Sequence, residues 1–253
     1  MILYTLGTCG GIEHTIRRQH AAYVFEVQGV PYWFDAGAGC DRTGALSGVR
    51  LEHVRHIFIS HPHRDHTENL ANLYGSIRKT MTMRNVEPEM ITLHLPDLFV
   101  WNCVHPMMEM TWPNRFMAEP HLYSDGTVFE DSRIRVEARH NFHIEQPDAV
   151  KFTSYSFRIF AEGKCVIYSG DVDSYADMGD WLNDCDLLLM ESSHHSPEST
   201  CRSLREKNFN IRKLMFTHCG RPIIRDFEGE RAKALLAWGR EAFFAEDGGC
   251  YEI

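Results

Sequence analysis

The sequence predicts one α/β domain running from residue 1 to residue 253. Three observations carry this expectation. Short apolar, β-branched runs alternate with stretches whose apolar residues fall at helical spacing. The chain has 253 residues and 43% hydrophobic content, enough for one substantial core. No linker, repeat or low-complexity segment interrupts it. No apolar run reaches membrane-spanning length. The opening MILYTLGTCGG lacks the basic stretch and cleavage site of a signal peptide. The expected location is the cytoplasm, with no membrane partner.

Eight cysteines are scattered singly, without a C-x-x-C pair, which favours free thiols over a disulfide framework or a cysteine zinc site. The net charge of −9 and the absence of a long Lys/Arg run point away from a general nucleic-acid binder, which usually carries a basic face. Fifteen histidines is a high count. His14, His20, His53, His94, His105 and His121 have no motif around them and read as ordinary surface or hydrogen-bonded residues.

The stretch ISHPHRDHTENL, residues 59–70, is different. The preceding HIFIS, His56 to Ser60, reads as a buried strand. Leu70, Leu73, Tyr74 and Ile77 then follow at helical spacing, with Thr67 and Glu68 suited to a first turn. His61, His63, Asp65 and His66 therefore crowd the loop between a strand and a helix. His61 and His63 are two apart and point the same way on an extended segment. Pro62 stiffens the loop between them. Asp65 and His66 are adjacent, so they point apart and could serve a different centre from the His61 and His63 pair, and one loop can feed two metals. Imidazole and carboxylate are the usual zinc ligands.

Two metals need further ligands, sought at the ends of other strands. In KCVIYSGDVD a strand at Val166 to Tyr168 is followed by Gly170 and Asp171, with Asp173 as the local competitor. A carboxylate there can bridge two cations through its two oxygens. In KLMFTHCG the strand Leu214 to Phe216 leads to His218. In RIRVEARHNFHIEQPD an alternating strand leads to His140 and His143. One of these two should be a ligand, and His143 is preferred because His140 lies closer to the strand and suits a supporting role.

The order H-x-H-x-D-H, then His, then G-D, then T-H resembles the metallo-β-lactamase superfamily over nearly the whole chain. TLGTCGG and YWFDAGAG resemble that family's opening strands. The resemblance implies an αββα four-layer sandwich, two mixed sheets face to face with helices outside and the ligands along one edge. It implies that His61, His63 and His143 hold one metal, that Asp65, His66 and His218 hold a second, and that Asp171 bridges them. It also implies that Asp35 helps to hold the metal loop. The expected cofactors are two zinc ions, with manganese as the alternative. Flavodiiron oxygen reductases usually have a glutamate where this chain has His63, so a hydrolytic site is favoured.

DLLLMESSHHSPEST, residues 186–200, discriminates among branches. It resembles the ribonuclease Z branch, where a strand ends in glutamate and a histidine followed by Ser or Thr lies beyond. Glu191 fits the first. His195, followed by Ser196 and 23 residues before His218, fits the second, with His194 next. Both histidines could instead cap a helix starting near Pro197. The long arm with which many tRNA-processing members grip tRNA is not visible between Thr80 and Arg115, and the spacing from Glu191 to the histidine is short for that branch. With the acidic charge, this points to a small or cyclic, nucleotide-like phosphodiester as substrate and away from nucleic acid. The alternatives are a ribonuclease Z-like nuclease and a thioester, lactone or β-lactam hydrolase. Asp65, Glu191 and His195 form the candidate catalytic set. Two zincs would share a hydroxide that attacks phosphorus, while His195 protonates the leaving oxygen. Met107, Met108, Met110 and Trp112 are candidates for a base or apolar pocket, for core, or for an oligomer face, and a homodimer is left open.

Overall fold

The computed structural model describes residues 1–11, 18–111 and 117–253. His14 and Trp112 lie outside these residues.

Among the described residues, fourteen strands divide between two mixed sheets. The first contains β1 (Ile2–Gly7), β2 (Ala22–Val27), β3 (Val30–Phe34), β4 (His56–Phe58), β5 (Ile91–Leu95) and β6 (Ala118–Leu122). β1 to β3 pair antiparallel, and β3 to β6 run parallel. The second contains β7 (Gly126–Glu130), β8 (Ile134–His140), β9 (Tyr155–Ala161), β10 (Lys164–Tyr168), β11 (Asp184–Ser192), β12 (Asn210–Cys219) and β13 (Phe243–Phe244). β7 to β10 pair antiparallel, and β10 to β13 run parallel. The last strand, β14 (Gly249–Glu252), returns to pair with β1.

Side-chain alternation builds three apolar layers. Tyr23, Phe25, Tyr32 and Phe34 of the first sheet meet Phe157, Val166, Leu187 and Leu189 of the second in the central layer. The intervening Val24, Trp33 and Ile57 face outwards and are covered by α3 (Leu70–Arg84) through Leu73, Tyr74 and Ile77. On the other side Leu188, Met190, Leu214 and Phe216 face α5 (Pro197–Glu206) and α7 (Phe227–Trp238), which supply Cys201, Leu204, Ala234 and Trp238. Strands buried on both faces read as continuous apolar runs, which is why HIFIS and DLLLM lack polar alternation. The layers are helix, sheet, sheet, helix. This is the expected αββα sandwich.

Several expected boundaries move. β4 is shorter than His56 to Ser60, and β8 runs on to include His140. β12 extends through His218, which adopts a positive φ of 49°. Short helices α1 (Cys40–Leu46), α2 (Arg64–Thr67) and α6 (Arg221–Arg225) follow β3, the histidine loop and β12. Between Thr80 and Arg115, where the sequence shows no long arm, the described residues form β5 and α4 (Leu98–Thr111) after the end of α3. Met108 is buried against the first sheet, whereas Met107 and Met110 are exposed. All eight cysteines are free thiols. Among the described residues no helix is long and apolar enough to cross a membrane.

Candidate metal centre

The carboxyl ends of β4, β10, β11 and β12 open onto one cavity of about 800 Å³, where ligands of open α/β sheets usually bind. His63, Asp65, His143, Asp171, His194 and His218 are among its lining residues.

Asp35 organises the histidine loop from below. It is fully buried and sits at φ 57°, immediately after β3. Its carboxylate accepts the Ser60 N–H at 2.7 Å, the Ser60 hydroxyl at 2.8 Å and the Tyr168 hydroxyl at 2.5 Å. The same carboxylate lies 2.8 Å from His66 Nδ1. A partner on Nδ1 fixes the ring and leaves Nε2 for the cavity, as supporting residues do at metal sites. This is the role the resemblance gave Asp35. Ser60 and Tyr168 carry no sequence signal for it.

Two groups of donors result. Donor atoms of His61, His63 and His143 lie within 4.8 Å of one another, and so do those of Asp65, His66, Asp171 and His218. His63 Nδ1 is 3.1 Å from both His61 Nε2 and His143 Nε2. His218 Nε2 is 3.2 Å from His66 Nε2 and 3.1 Å from Asp65 Oδ2. Asp171 faces both groups. Its Oδ2 is 3.8 Å from His61 Nε2 and 3.7 Å from His143 Nε2, while its Oδ1 is 3.4 Å from His66 Nε2. Gly170 makes this placement available. It adopts φ 58°, and a Cβ there would stand 2.7 Å from the Tyr155 carbonyl oxygen.

The structure separates the sequence alternatives by place. His143 joins the cluster, whereas His140 Nδ1 pairs with Asp125 at 2.7 Å and its ring stacks on Phe152. Asp173 is exposed and does not join the cluster.

Electrostatics distinguish the rings. Burial, together with the neighbouring His66, holds His61 well below the ordinary imidazole range. Burial lowers His143 to about 4. Burial also opposes charge on His66, but Asp171, Asp65 and Asp35 outweigh it and raise that ring well above the ordinary value. Burial works against an ionised Asp171, yet His218 and His66 hold it well below the usual carboxylate range. Asp171 Oδ1 and His218 Nδ1 are buried and face each other at 3.3 Å, yet neither makes a hydrogen bond of good geometry among the described residues. Unsatisfied buried polar groups cost roughly 1–3 kcal/mol each. A divalent cation shared among these nitrogens and carboxylates would remove that cost, so the donor set fits a metal site.

Beside the cluster, buried Glu191 holds the loop after β11. Its Oε2 accepts the N–H groups of Ser193 at 2.7 Å and His194 at 3.1 Å, and its Oε1 lies 3.1 Å from His194 Nδ1. That hydrogen bond raises the His194 pKa. A nitrogen of His194 lies within 4.8 Å of donor atoms of His143 and Asp171. His195, the first choice from sequence, turns away. Its Nε2–H donates to the Val172 carbonyl at 3.1 Å, and it is not among the residues lining the cavity. Neither histidine caps α5, because the Ser196 hydroxyl accepts the Ser199 N–H. Met107, Met108 and Met110 are also not among the lining residues. Sequence reasoning left Ser193, Gly220 and Arg221 of the wall unassigned.

The fold and donor set define a metallo-hydrolase architecture, and the comparisons agree. A family model described as a beta-lactamase superfamily domain matches residues 33–219, so the chain belongs to that superfamily. Ribonuclease Z of Brevibacillus brevis is 28% identical over 300 aligned positions, covering 96% of this chain and 92% of the relative. That alignment is longer than the chain, so the relative carries residues with no counterpart here. Human tRNase Z, short form, superposes with a TM-score of 0.75 at 19% identity over 100% of this chain and 99% of its own. The metallo-β-lactamase fold protein YhfI from Bacillus subtilis gives 0.78 at 15% identity over 99% and 98%. The branch resemblance to ribonuclease Z therefore holds. The expectation against nucleic acid finds no support in relatives named as ribonucleases.

Proposed function

We propose that the protein is a metal-dependent phosphodiesterase acting on a small or cyclic, nucleotide-like phosphodiester. One observation carries the reading: two donor groups facing a shared Asp171 stand beside a histidine held by a buried glutamate. His61, His63 and His143 would hold one divalent ion, and Asp65, His66 and His218 a second, with Asp171 between them. Zinc suits the histidine-rich set, and manganese is the alternative. When bound, such a pair supplies an acidified water and counter-charge for phosphoryl oxygens.

The chain's own residues do the rest. Asp35 fixes the His66 ring, and Glu191 fixes the His194 ring through Nδ1. Glu191 also favours the protonated form of His194. His194 Nε2 is then the proton donor to the leaving oxygen, a role expected of His195 from sequence alone. An alkoxide is a poor leaving group and needs that proton. A cytoplasmic location belongs to the same reading and is supported by eight free cysteines.

A second reading, an RNA-cutting nuclease, is favoured by the ribonuclease Z relative that spans nearly the whole chain. The net charge of −9 and the ordinary β5–α4 segment favour the small substrate. Cyclic nucleotides, bis-p-nitrophenyl phosphate, a tRNA precursor with a 3′ trailer, thioesters and lactams should be assayed side by side. Turnover of the small diesters should exceed the rest. Faster trailer removal would establish the nuclease reading, and faster lactam or thioester turnover would overturn both.

A further inference from the structure

Glu191 turns two successive side chains towards the cavity by binding two successive N–H groups. His194 has a role in the reading above, and Ser193 does not. Ser193 lines the same cavity, and its hydroxyl has no hydrogen-bond partner among the described residues.

Its position is tightly set. A Cβ on Gly10 would stand 2.5 Å from Ser193 Oγ, and a Cβ on Gly11 would stand 2.8 Å from Asp65 Oδ2. The Gly10–Gly11 backbone therefore passes close to both the serine hydroxyl and a carboxylate of the donor cluster. From the other side, a Cβ on Gly220 would stand 2.9 Å from Ser193 Cα. Gly10 is itself anchored, its N–H donating to the Cys219 carbonyl at 3.1 Å, one residue beyond His218. Two segments distant in the chain thus close on one serine. Each approaches more closely than a side chain on the glycine would allow.

We propose that Ser193 is a substrate-binding residue whose hydroxyl donates a hydrogen bond to a non-bridging oxygen of a phosphodiester; this rests on the phosphodiesterase reading. A phosphodiester carries one negative charge over two non-bridging oxygens, and charge on them is what the site must stabilise during attack. A fixed donor aimed at such an oxygen needs no reorganisation when the reaction occurs. A neutral hydroxyl suits a monoanionic diester without adding a counter-charge. A carbonyl substrate presents one oxygen where the diester presents two, so it leaves this donor without an acceptor. Ser193 thereby favours tetrahedral diesters over esters and lactams.

The test uses the full chain loaded with zinc and the two diastereomers of thymidine 5′-(p-nitrophenyl phosphorothioate), with the all-oxygen parent beside them. Ser193→Ala should lower kcat/KM on the parent about 10- to 100-fold, the range for a hydrogen bond to a charged acceptor. Sulfur is the poorer acceptor, so the loss should be much smaller for the diastereomer whose sulfur faces Ser193. The other diastereomer should lose as much as the parent. Ser193→Cys, a similar shape with a weak donor, should show the same asymmetry to a smaller degree. Metal content and melting temperature should match the wild type. Equal losses on both diastereomers, no loss on the parent, or loss of metal in both variants would overturn the assignment. Wild-type protein inert towards every diester would overturn the phosphodiesterase reading and the assignment with it. An active wild type with an unaffected Ser193→Ala variant would overturn the assignment alone.

Discussion

Glu191 is fully buried and spends its carboxylate on two backbone N–H groups and one imidazole, all within three residues of itself. Such a carboxylate acts by orientation, and His194 is the ring it orients. General acid catalysis typically contributes about 10²- to 10⁴-fold. His194→Ala should lose a factor in that range on a cyclic nucleotide, whose ribose oxygen leaves badly, and much less on bis-p-nitrophenyl phosphate. His195→Ala should cost little on either, because His195 is bound to the Val172 carbonyl. Steady-state rates on the two substrates decide this, and the reverse ranking of the two variants would return the role to His195. Asp171 is the matching case among the candidate ligands. Its two oxygens face different donor groups, so on the two-ion reading proposed above Asp171→Ala should lose at least one ion. Unchanged metal content by mass spectrometry would remove the shared-carboxylate reading.

At the scale of elements, three parallel strands carry a row of histidines away from the metal cluster. His56 on β4, His94 on β5 and His121 on β6 follow one another across the first sheet, with His94 opposite Phe58 and His121 opposite His94. His56 Nδ1 is 3.2 Å from His94 Nε2, and the His94 ring stacks on Phe58. Burial pushes His56 down to about 4 and His94 down to about 3. In the unfolded chain an imidazole titrates near about 6.5. Between these values the unfolded chain binds more protons than the folded one, so stability falls as pH falls. The contribution is complete above pH 6.5 and is lost on the way down to the folded values. His94→Phe keeps an aromatic ring against Phe58 and removes one of the two titrations. Its loss of stability between pH 7 and pH 4 should be smaller than that of the wild type by on the order of a few kcal/mol. Urea unfolding at the two pH values measures this, and parallel losses would refute it.

Across the whole molecule, the donor cluster joins the two sheets. His61, His63, Asp65 and His66 follow β4 of the first sheet, whereas His143, Asp171 and His218 belong to the second or its loops. An ion held by both sides binds only the folded arrangement and stabilises it by mass action. Removing metal with a chelator should therefore lower the melting temperature by several degrees, and added zinc should restore it. Calorimetry showing the same midpoint with and without metal would argue against a cross-sheet metal site. The homodimer left open by the sequence has a candidate face on α4, where Phe99, Met107 and Met110 are exposed. Phe99→Glu combined with Met110→Glu should give a monomer by light scattering if that face carries the contact, and a wild-type monomer would dismiss it.

The sequence by itself determined the layered fold and the chemistry of the donors. Strands buried on both faces must be written in apolar residues, so HIFIS, KCVIY and DLLLM announced β4, β10 and β11. The histidines and carboxylates crowded at their ends pointed to a site. Local order also sufficed for His61, His63, Asp65 and His66, which lie within six residues of one another where the chain leaves β4 and enters α2. The tertiary structure decided what depends on direction over longer range. Sequence spacing could only prefer His143 to His140; β8 runs through His140 and hands it to Asp125, leaving His143 to turn inwards. His194 and His195 are adjacent in sequence. Which of them faces the cavity follows from where Glu191 and Val172 place a carboxylate and a carbonyl, one on β11 and one beyond β10. Ser193 gave no signal at all, because a serine becomes a binding group only when Gly10 and Gly220 close around it from segments about 180 residues and 30 residues away in the chain. Such contacts are set by the packing of the two sheets, which no local window of sequence contains.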